Sequence, residues 1–386
     1  MKELVIKDFC YISDGNYSSK YPRSDEFKES GIPFIRANNL VNGTVVSDDM
    51  YFISPEKHLE LRKGHLQTDD VLITTRGNIG QTAVVPSEFH DANINAQIVL
   101  LRVDKEKIIP KYLEYALHTD TVVQQIESSI TGTALKQLPV GRLEKIKVKI
   151  HPKNEQEHIV SVLQKIDTLI SAQKQQLETI ETIVKSRFIE MFGDPETNPK
   201  GYKTVLLSDI AEYYNGLTYS PDNVAENGTI VLRSSNIQNS QLDFEDTVRV
   251  DCPVKEKMFV KENDILMCSR NGSARLVGKV ALIKNLSEPM SFGAFMMIIR
   301  SKYYSYLMTY FQMDAFRRQI KTGATTTINQ ITGNMLNKIS LPLPEISDVN
   351  QFAEFVEQTD KLKFEIKEAL EKLEILKKSL MQEYFG

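Results

Sequence analysis

A heptad pattern of apolar residues occurs twice in this chain and constrains its fold more than any other feature. Ile159, Ile166 and Ile180 follow a seven-residue spacing in the first half, and Phe352 and Ile366 follow it in the second. This spacing is typical of a long helix that buries one apolar seam against a partner helix. The residues predicted to fill the seam are Ile159, Ile166, Leu169, Ile180, Ile183, Phe352, Leu362, Ile366, Leu373 and Leu376.

Two such seams in one chain most simply bury each other. Each predicted helix has about 35 residues and is therefore roughly 50 Å long at 1.5 Å per residue. The intervening sequence is long enough to let the helices run antiparallel, so we expect a coiled coil that serves as a spacer. A device used only for dimerisation is the alternative that this pattern leaves open.

Blocks of sequence before each heptad segment recur in the same order. One apolar strand ends at Arg36 and its counterpart ends at Arg233, while another ends at Arg76 and its counterpart at Arg270. A helix of roughly 16 residues should follow the fourth strand of each copy, because Pro110 suits a first helical turn. Such self-similarity indicates one fold present twice. We predict two tandem mixed α/β (α+β) domains related by a pseudo-two-fold repeat, at residues 1–152 and 194–345, and spacer helices at 153–193 and 346–386.

Composition favours a cytoplasmic protein with reduced thiols. The three cysteines form no C-x-x-C motif, and the sequence begins without an apolar signal segment. The longest apolar run, Phe292 to Ile299, is too short to span a bilayer. The net charge of −4 gives no overall attraction to nucleic acid, so DNA binding would require locally basic loops.

Polar loops at the strand and helix ends provide such groups. Arg and Lys can pair with guanine, Asn and Gln with adenine, and hydroxyl groups with phosphates. For Arg36, Asn39, Arg233 and Asn236, a structural role in the turn stays open as the alternative. The predicted DNA-binding residues of the first domain are Arg36, Asn38, Asn39, Thr74, Thr75, Arg76, Asn78, Thr131, Thr133, Lys136 and Gln137. Those of the second domain are Arg233, Ser234, Ser235, Asn236, Ser269, Arg270, Asn271, Arg275, Lys279, Thr325, Thr326, Thr327, Asn329 and Gln330.

Patterns of known catalytic chemistry are missing from the sequence. The segment from Gly272 to Lys279 resembles a phosphate loop, but five residues separate its glycines and Val280 stands where Ser or Thr should hold a metal. His58 and His65 have no cysteine or carboxylate pattern typical of a metal site. We therefore expect no catalytic residue, metal ligand or cofactor in this chain, which reads as a recognition scaffold.

The repeated blocks together resemble the specificity subunit of type I restriction-modification systems, over essentially the whole chain. One departure is the segment from Pro344 to Gln351, where the family often has Pro-x-x-Glu-Gln before its helix. The segments that carry the resemblance are Ile35 to Leu40 with Leu232 to Ile237, Asp70 to Gly77 with Asp264 to Arg270, Pro152 to Gln156, and Met191 to Gly201.

This resemblance implies that each domain is a target recognition domain for one half of a bipartite, asymmetric site in double-stranded DNA. The helices would set the spacing of the half-sites and dock two modification (adenine methyltransferase) subunits. Two restriction (nuclease and translocase) subunits would complete the complex. S-adenosylmethionine would then be bound by the methyltransferase, and ATP and Mg by the restriction subunit. The alternatives are a coiled-coil DNA-binding protein acting outside restriction and a non-DNA interaction scaffold.

Overall fold

The computed structural model describes residues 2–15, 19–133, 135–321 and 330–386. The chain divides into two compact units. The first unit comprises Met1–Lys174 and Glu368–Gly386, and the second comprises Gln175–Lys367. Each unit contains one α/β domain together with parts of both long helices. The division therefore falls inside the helices, whereas the predicted domain boundaries lie at their ends.

The first unit combines mostly antiparallel strand pairs, and two parallel ones, with short helices. The strands are β1 (Lys2–Val5), β2 (Cys10–Asp14), β3 (Ile32–Ile35), β4 (Leu40–Val41), β5 (Gly43–Val45), β6 (Tyr51–Ile53), β7 (Val71–Thr74), β8 (Thr82–Val84), β9 (Asn93–Ile94), β10 (Ile98–Val103) and β11 (Lys147–Ile150). The strand order is β2-β10-β7-β8-β5-β4 in the main sheet and β6-β3-β9 in a smaller one, and β1 pairs with β11. The helices are α1 (Pro55–Glu60), α2 (Pro110–Ala116), α3 (Asp120–Ser129), α4 (Val140–Leu143) and the first part of α5 (Lys153–Phe192).

The second unit repeats this topology. The strands are β12 (Thr204–Leu206), β13 (Glu212–Asn215), β14 (Val224–Leu232), β15 (Ile237–Gln238), β16 (Gln241–Leu242), β17 (Arg249–Val250), β18 (Ile265–Cys268), β19 (Val280–Leu282), β20 (Met290–Phe292), β21 (Met296–Arg300) and β22 (Ser340–Pro342). The order β13-β21-β18-β19 matches β2-β10-β7-β8, the order β17-β14-β20 matches β6-β3-β9, and the pair β12-β22 matches β1-β11. The helices are the last part of α5, then α6 (Tyr304–Tyr310), α7 (Asp314–Lys321), α8 (Gly333–Leu336) and the first part of α9 (Ile346–Phe385). The prediction of two tandem mixed α/β domains is confirmed.

The single helix predicted after the fourth strand is wrong in both units. In the first unit α2 ends at Ala116 and α3 begins at Asp120. Thr119 between them has an extended backbone (φ −74°, ψ 146°), and its hydroxyl donates to the carbonyl of Ala116 at 2.8 Å. Threonine competes for helical hydrogen bonds in this way, which breaks the helix. The second unit has the corresponding break between α6 and α7.

Parts of the long helices complete both hydrophobic cores. In the first unit Leu163 of α5 and Phe385 of α9 are buried with the domain's own side chains. The Phe385 ring lies 5.1 Å from that of Tyr112. In the second unit the ring of Phe352 lies 5.7 Å from that of Phe188. Truncating a buried phenylalanine costs about 3–5 kcal/mol, so each domain depends on the helices for its stability.

The two long helices are each 40 residues and run antiparallel within each unit. In the first unit Asp167 pairs with Lys377 at 2.6 Å and Lys174 pairs with Glu374 at 3.2 Å. Residue numbers therefore rise along α5 as they fall along the facing part of α9, which is the antiparallel arrangement. In the second unit the guanidinium of Arg187 lies 6.0 Å from the Phe355 ring. No helix in the described ranges has an apolar stretch long enough to cross a membrane.

The predicted seam residues divide into two groups. Ile159, Ile166, Ile180, Phe352 and Ile366 are buried, and Leu373 is partly buried. The other four lie outside the buried seam, which corrects their assignment, because their apolar side chains remain about half exposed: Leu169 (50%), Ile183 (46%), Leu362 (47%) and Leu376 (47%).

Candidate nucleic-acid interface

Two of the predicted polar loops lie side by side in each unit. In the first unit Arg76, just after β7, forms an antiparallel bridge with Gln137, and the Leu138 amide donates to the Thr75 carbonyl at 2.9 Å. In the second unit Arg270, just after β18, forms the same bridge with Gln330. Segments far apart in sequence therefore converge at one strand end, in equivalent places of the repeated fold.

The side chains that face solvent at these loops are the ones able to contact a ligand. In the first unit Arg76, Asn78, Thr133 and Lys136 are exposed. Thr131 and Gln137 beside them are half-buried. Asn38 is also exposed, and its amide donates to the Asp49 carboxylate at 3.3 Å.

In the second unit the exposed residues at the equivalent loops are Arg270, Arg275 and Gln330. The Arg270 guanidinium lies 5.4 Å from the centre of the exposed Phe295 ring. An arginine over an aromatic face is a surface on which a base can stack. Phe295 is not among the predicted residues, because it stands inside an apolar run that reads as a buried strand.

Hydrogen bonds tie the loops of the second unit together. The Asn271 amide donates to the Ser234 hydroxyl at 3.3 Å, and the Lys279 ammonium donates to the Ile237 carbonyl at 3.2 Å. Ser235 is half-buried in the same turn. The predicted residues Thr325, Thr326, Thr327 and Asn329 lie outside the described part of the chain.

Three predicted hydroxyl residues point inward instead of to solvent, which corrects their assignment as DNA contacts. Thr74 donates to the Asn78 carbonyl, Thr75 donates to the Gln97 carbonyl at 3.2 Å, and Ser269 donates to the Phe295 carbonyl at 3.0 Å. All three are buried, because a hydroxyl at a strand end can satisfy nearby backbone groups.

Asn39 and Asn236 have the structural role that their sequence context left open. Both are buried. Each accepts from the backbone amide of the arginine three positions earlier, at 3.0 and 2.8 Å. The Asn39 amide also donates to the Asp48 carbonyl at 2.8 Å, and that of Asn236 to the Asp243 carbonyl at 2.8 Å. These side chains hold the turn and are correspondingly withdrawn from any ligand.

Arg36 and Arg233 are also engaged within their own domains. Arg36 pairs with Asp49 at 2.8 Å, and its guanidinium lies 3.4 Å from the centre of the Tyr51 ring. Arg233 pairs with Asp246 at 2.7 Å. The two turns thus share one design, in which arginine is held by an aspartate and asparagine by the backbone.

A buried ion pair links two neighbouring strands of the main sheet in each unit. Arg102 pairs with Asp70 at 2.8 Å, and Arg300 with Asp264 at 2.6 Å; both carboxylates are only 1% exposed. Hydrogen bonding to Asp70 raises the pKa of Arg102, so the guanidinium stays charged. These pairs join β10 to the start of β7 and β21 to the start of β18, at the strand ends opposite to those that carry Arg76 and Arg270.

One cluster of side chains that could hold a metal ion stands out among the described residues. It consists of His58, His65 and Asp91 in the first unit, whose ligand atoms lie within 4.8 Å of one another. No sequence motif signals it, because Asp91 is distant from the histidines along the chain.

Comparison with known proteins shows where this architecture occurs. The sequence profile of the family described as "Type I restriction modification DNA specificity domain" matches residues 1–182 and 199–376. The chain is 22% identical to the type I restriction enzyme EcoKI specificity subunit of Escherichia coli (strain K12), over 93% of this chain and 82% of that one. It is 24% identical to the StySPI specificity subunit of Salmonella potsdam, over 92% and 81%.

A solved structure has a similar fold. It is the type I restriction-modification system S subunit from M. genitalium, with a TM-score of 0.59 and 14% sequence identity. The similarity covers 100% of this chain and 96% of that chain.

Proposed function

This chain belongs to the type I restriction-modification DNA specificity family, and from that premise we propose that it selects the DNA sequence on which a restriction-modification complex acts. The observation that carries the proposal is the repeated loop surface. Each unit presents an exposed arginine at the same strand end, Arg76 in one and Arg270 in the other, bridged to a glutamine of the following loop. Arginine and glutamine are side chains that pair with base edges.

Each domain reads one half of a bipartite, asymmetric site. The shared framework supports this division, since the ion pairs of Arg102 and Arg300 and the turns of Asn39 and Asn236 are equivalent. The exposed side chains differ, because Lys136 belongs to the first unit and Arg275 to the second. One framework with two sets of contacts suits two different half-site sequences.

The helices α5 and α9 set the number of unread base pairs between the half-sites and dock two adenine methyltransferase subunits. A helix of 40 residues is about 60 Å long at 1.5 Å per residue, comparable to a short stretch of duplex. Exposed apolar side chains on these helices supply area for a partner. The most exposed of them are Leu169, Ile183, Leu362, Phe364, Ile375 and Leu376.

The chemistry belongs to the partner subunits, and this chain acts without catalysis. A methyltransferase must flip the adenine out of the duplex into its own pocket, so S-adenosylmethionine is bound there. Two restriction subunits use ATP and Mg to move along and cut the DNA. The assembly acts in the cytoplasm, where it meets incoming double-stranded DNA.

Co-expression with an adenine methyltransferase subunit from the same genome tests the proposal. We expect the two proteins to copurify and to methylate adenines on opposite strands of a bipartite motif, as read by single-molecule methylome sequencing. Binding of the complex to that motif should weaken steeply with salt, because phosphate contacts release counterions. Sequence-selective DNA binding without any methyltransferase partner would favour a regulator outside restriction. Absence of DNA binding by the purified complex would favour a protein-interaction scaffold.

A further inference from the structure

The cluster of His58, His65 and Asp91 is built from three separate segments of the first unit. His58 lies on α1, His65 follows that helix, and Asp91 precedes β9. The Nε2 atom of His58 is 3.5 Å from Oδ2 of Asp91, and Nδ1 of His65 is 3.9 Å from Oδ1. Two imidazole nitrogens and a carboxylate thus face one common point.

Hydrogen bonds select which ring nitrogen faces that point. Nδ1 of His58 donates to the amide oxygen of Asn93 at 2.6 Å, and Nε2 of His65 donates to the carbonyl of Leu61. In the neutral rings this leaves Nε2 of His58 and Nδ1 of His65 with free lone pairs towards Asp91. Histidines that bind metals almost always donate their second nitrogen to a carbonyl or carboxylate in this way.

The separations match a coordination polyhedron better than direct hydrogen bonds. A hydrogen bond between these atoms would be about 2.7–3.2 Å long. Zinc binds imidazole nitrogen and carboxylate oxygen at about 2.0–2.2 Å, so tetrahedral neighbours lie roughly 3.3–3.5 Å apart. The observed 3.5 and 3.9 Å are measured to different oxygens of Asp91, and the ligand atoms of the three residues lie within 4.8 Å of one another, so the side chains must close by up to roughly 1 Å around an ion.

The backbone holds the ligands in place without a metal. The Asp91 amide donates to the Leu66 carbonyl at 2.9 Å, and the Leu66 amide donates to the Ala92 carbonyl at 2.9 Å. His65 also forms an antiparallel bridge with Asn93. Asp91 adopts a left-handed backbone (φ 64°), a conformation that aspartate tolerates and that here positions its carboxylate beside the rings.

We propose that His58, His65 and Asp91 bind a zinc-class divalent cation, with water as the fourth ligand. The exposure of the three side chains supports a fourth coordination position that is open to water. The side chains of His58 and His65 are 9% and 33% exposed, and that of Asp91 is 61% exposed. Two imidazoles favour zinc over magnesium, which prefers oxygen ligands.

The ion joins α1 to the loop before β9, and so braces the first domain. β9 lies beside β3, and the Asn95 amide donates to the Ile35 carbonyl at 2.9 Å, immediately before Arg36. All six histidines of the chain precede residue 160, so the second domain has no histidine with which to build such a site. Stabilisation by a bound ion is therefore confined to the first domain.

Metal titration of the tag-free, EDTA-dialysed chain in its methyltransferase complex tests this site. We expect one equivalent of ZnCl₂ to bind in calorimetry, with MgCl₂ silent. At 100 times the dissociation constant, zinc should raise the Tm of the first unit by about 5 °C. His65→Gln and Asp91→Asn should each weaken zinc binding at least tenfold.

His90→Gln is the matched control, since this neighbouring histidine is exposed and its Nδ1 faces Thr68 at 3.3 Å. It should bind zinc as the wild type does. Asp91→Asn changes an exposed side chain and should fold normally, so its loss of binding would be a property of the site. Zinc binding that is absent, or that is unchanged in both His65→Gln and Asp91→Asn, would overturn the proposal. Methylation of the target motif provides a separate readout of the recognition function.

Discussion

Replacing Arg270 by Ala should relax recognition of one half-site and leave the other intact. Arg270 is exposed at the strand end of the second unit, whereas Arg233 of the same unit is paired with Asp246. The substitution removes the interaction of the guanidinium with the Phe295 ring, which at an exposed site is worth about 0.5–1 kcal/mol. The folded domain should therefore tolerate the change.

The effect on DNA binding should be larger than the effect on folding. A two-pronged arginine contact to guanine is worth about 1–3 kcal/mol of discrimination, which is roughly a 5- to 150-fold change in affinity. We expect the complex to lose this preference at one base pair of the half-site read by the second unit. Arg76→Ala, at the equivalent position of the first unit, should relax the other half-site.

Fluorescence anisotropy with the assembled complex measures both effects. Affinity is determined for duplexes in which each base pair of each half-site is substituted in turn, at a fixed salt concentration. A phosphate contact would instead weaken all duplexes uniformly and lower the salt dependence by about one ion. Equal relaxation of both half-sites by Arg270→Ala would refute the assignment of one domain to one half-site, and a uniform loss would refute the base contact.

Three further outcomes are expected. Inserting four helical residues into both α5 and α9 lengthens each helix by about 6 Å and should widen the unread gap between the half-sites by roughly two base pairs. Methylome sequencing that finds an unaltered gap would count against the role of these helices as a spacer. Asp264→Ala should lower the free energy of unfolding of the second unit by about 3–5 kcal/mol in urea, because Arg300 loses its buried partner. The control Asp246→Ala removes an exposed carboxylate and should cost less than about 1 kcal/mol. Burial alone would raise the pKa of Glu114, but the hydrogen bond to His118 and the charge of Lys111 lower it to about 2, below its usual 4.5. The stability that this carboxylate contributes, about 3 kcal/mol, is present above pH 4.5 and is lost as the pH falls towards 2. Urea titrations of Glu114→Gln should therefore lack this part of the acid dependence. A variant whose stability has the same pH profile as the wild type would contradict the prediction.

Sequence patterns predict the repeated fold well, because strands and heptads are local. The strand ending at Arg76 and the one ending at Arg270 align directly in sequence, and the structure places them at equivalent positions of the two sheets. The helix breaks after Ala116 and Tyr310 escape such patterns, since only the first contains a threonine that bonds to a preceding carbonyl and the two share no local signal.

The binding surface is only partly predictable, because the same residue types serve two purposes. The sequence leaves a structural role open for Asn39 but does not decide it; the structure shows that Asn39 holds a turn and that Asn78 faces solvent. The ligands of the zinc-class site are harder still, as Asp91 reaches His58 only through the pairing of the segments around Leu66 and Ala92. Contacts between segments that are distant along the chain produce no periodic pattern in the sequence, so they cannot be predicted from it.

The burial of Phe385 in the first core affects the order in which this protein can fold. The first unit is discontinuous, and the whole second unit is synthesised before the segment from Glu368 onward that completes it. On a ribosome, the second unit can close first, while the apolar face around Leu163 waits for Phe385. During that interval the first domain can accept the segment from Glu368 onward of another nascent copy, so exchange of this segment between chains is a folding error that the discontinuous unit permits. Slow synthesis of the second half would prolong the exposure, whereas a chain supplied with its own tail early, by circular permutation, would escape it.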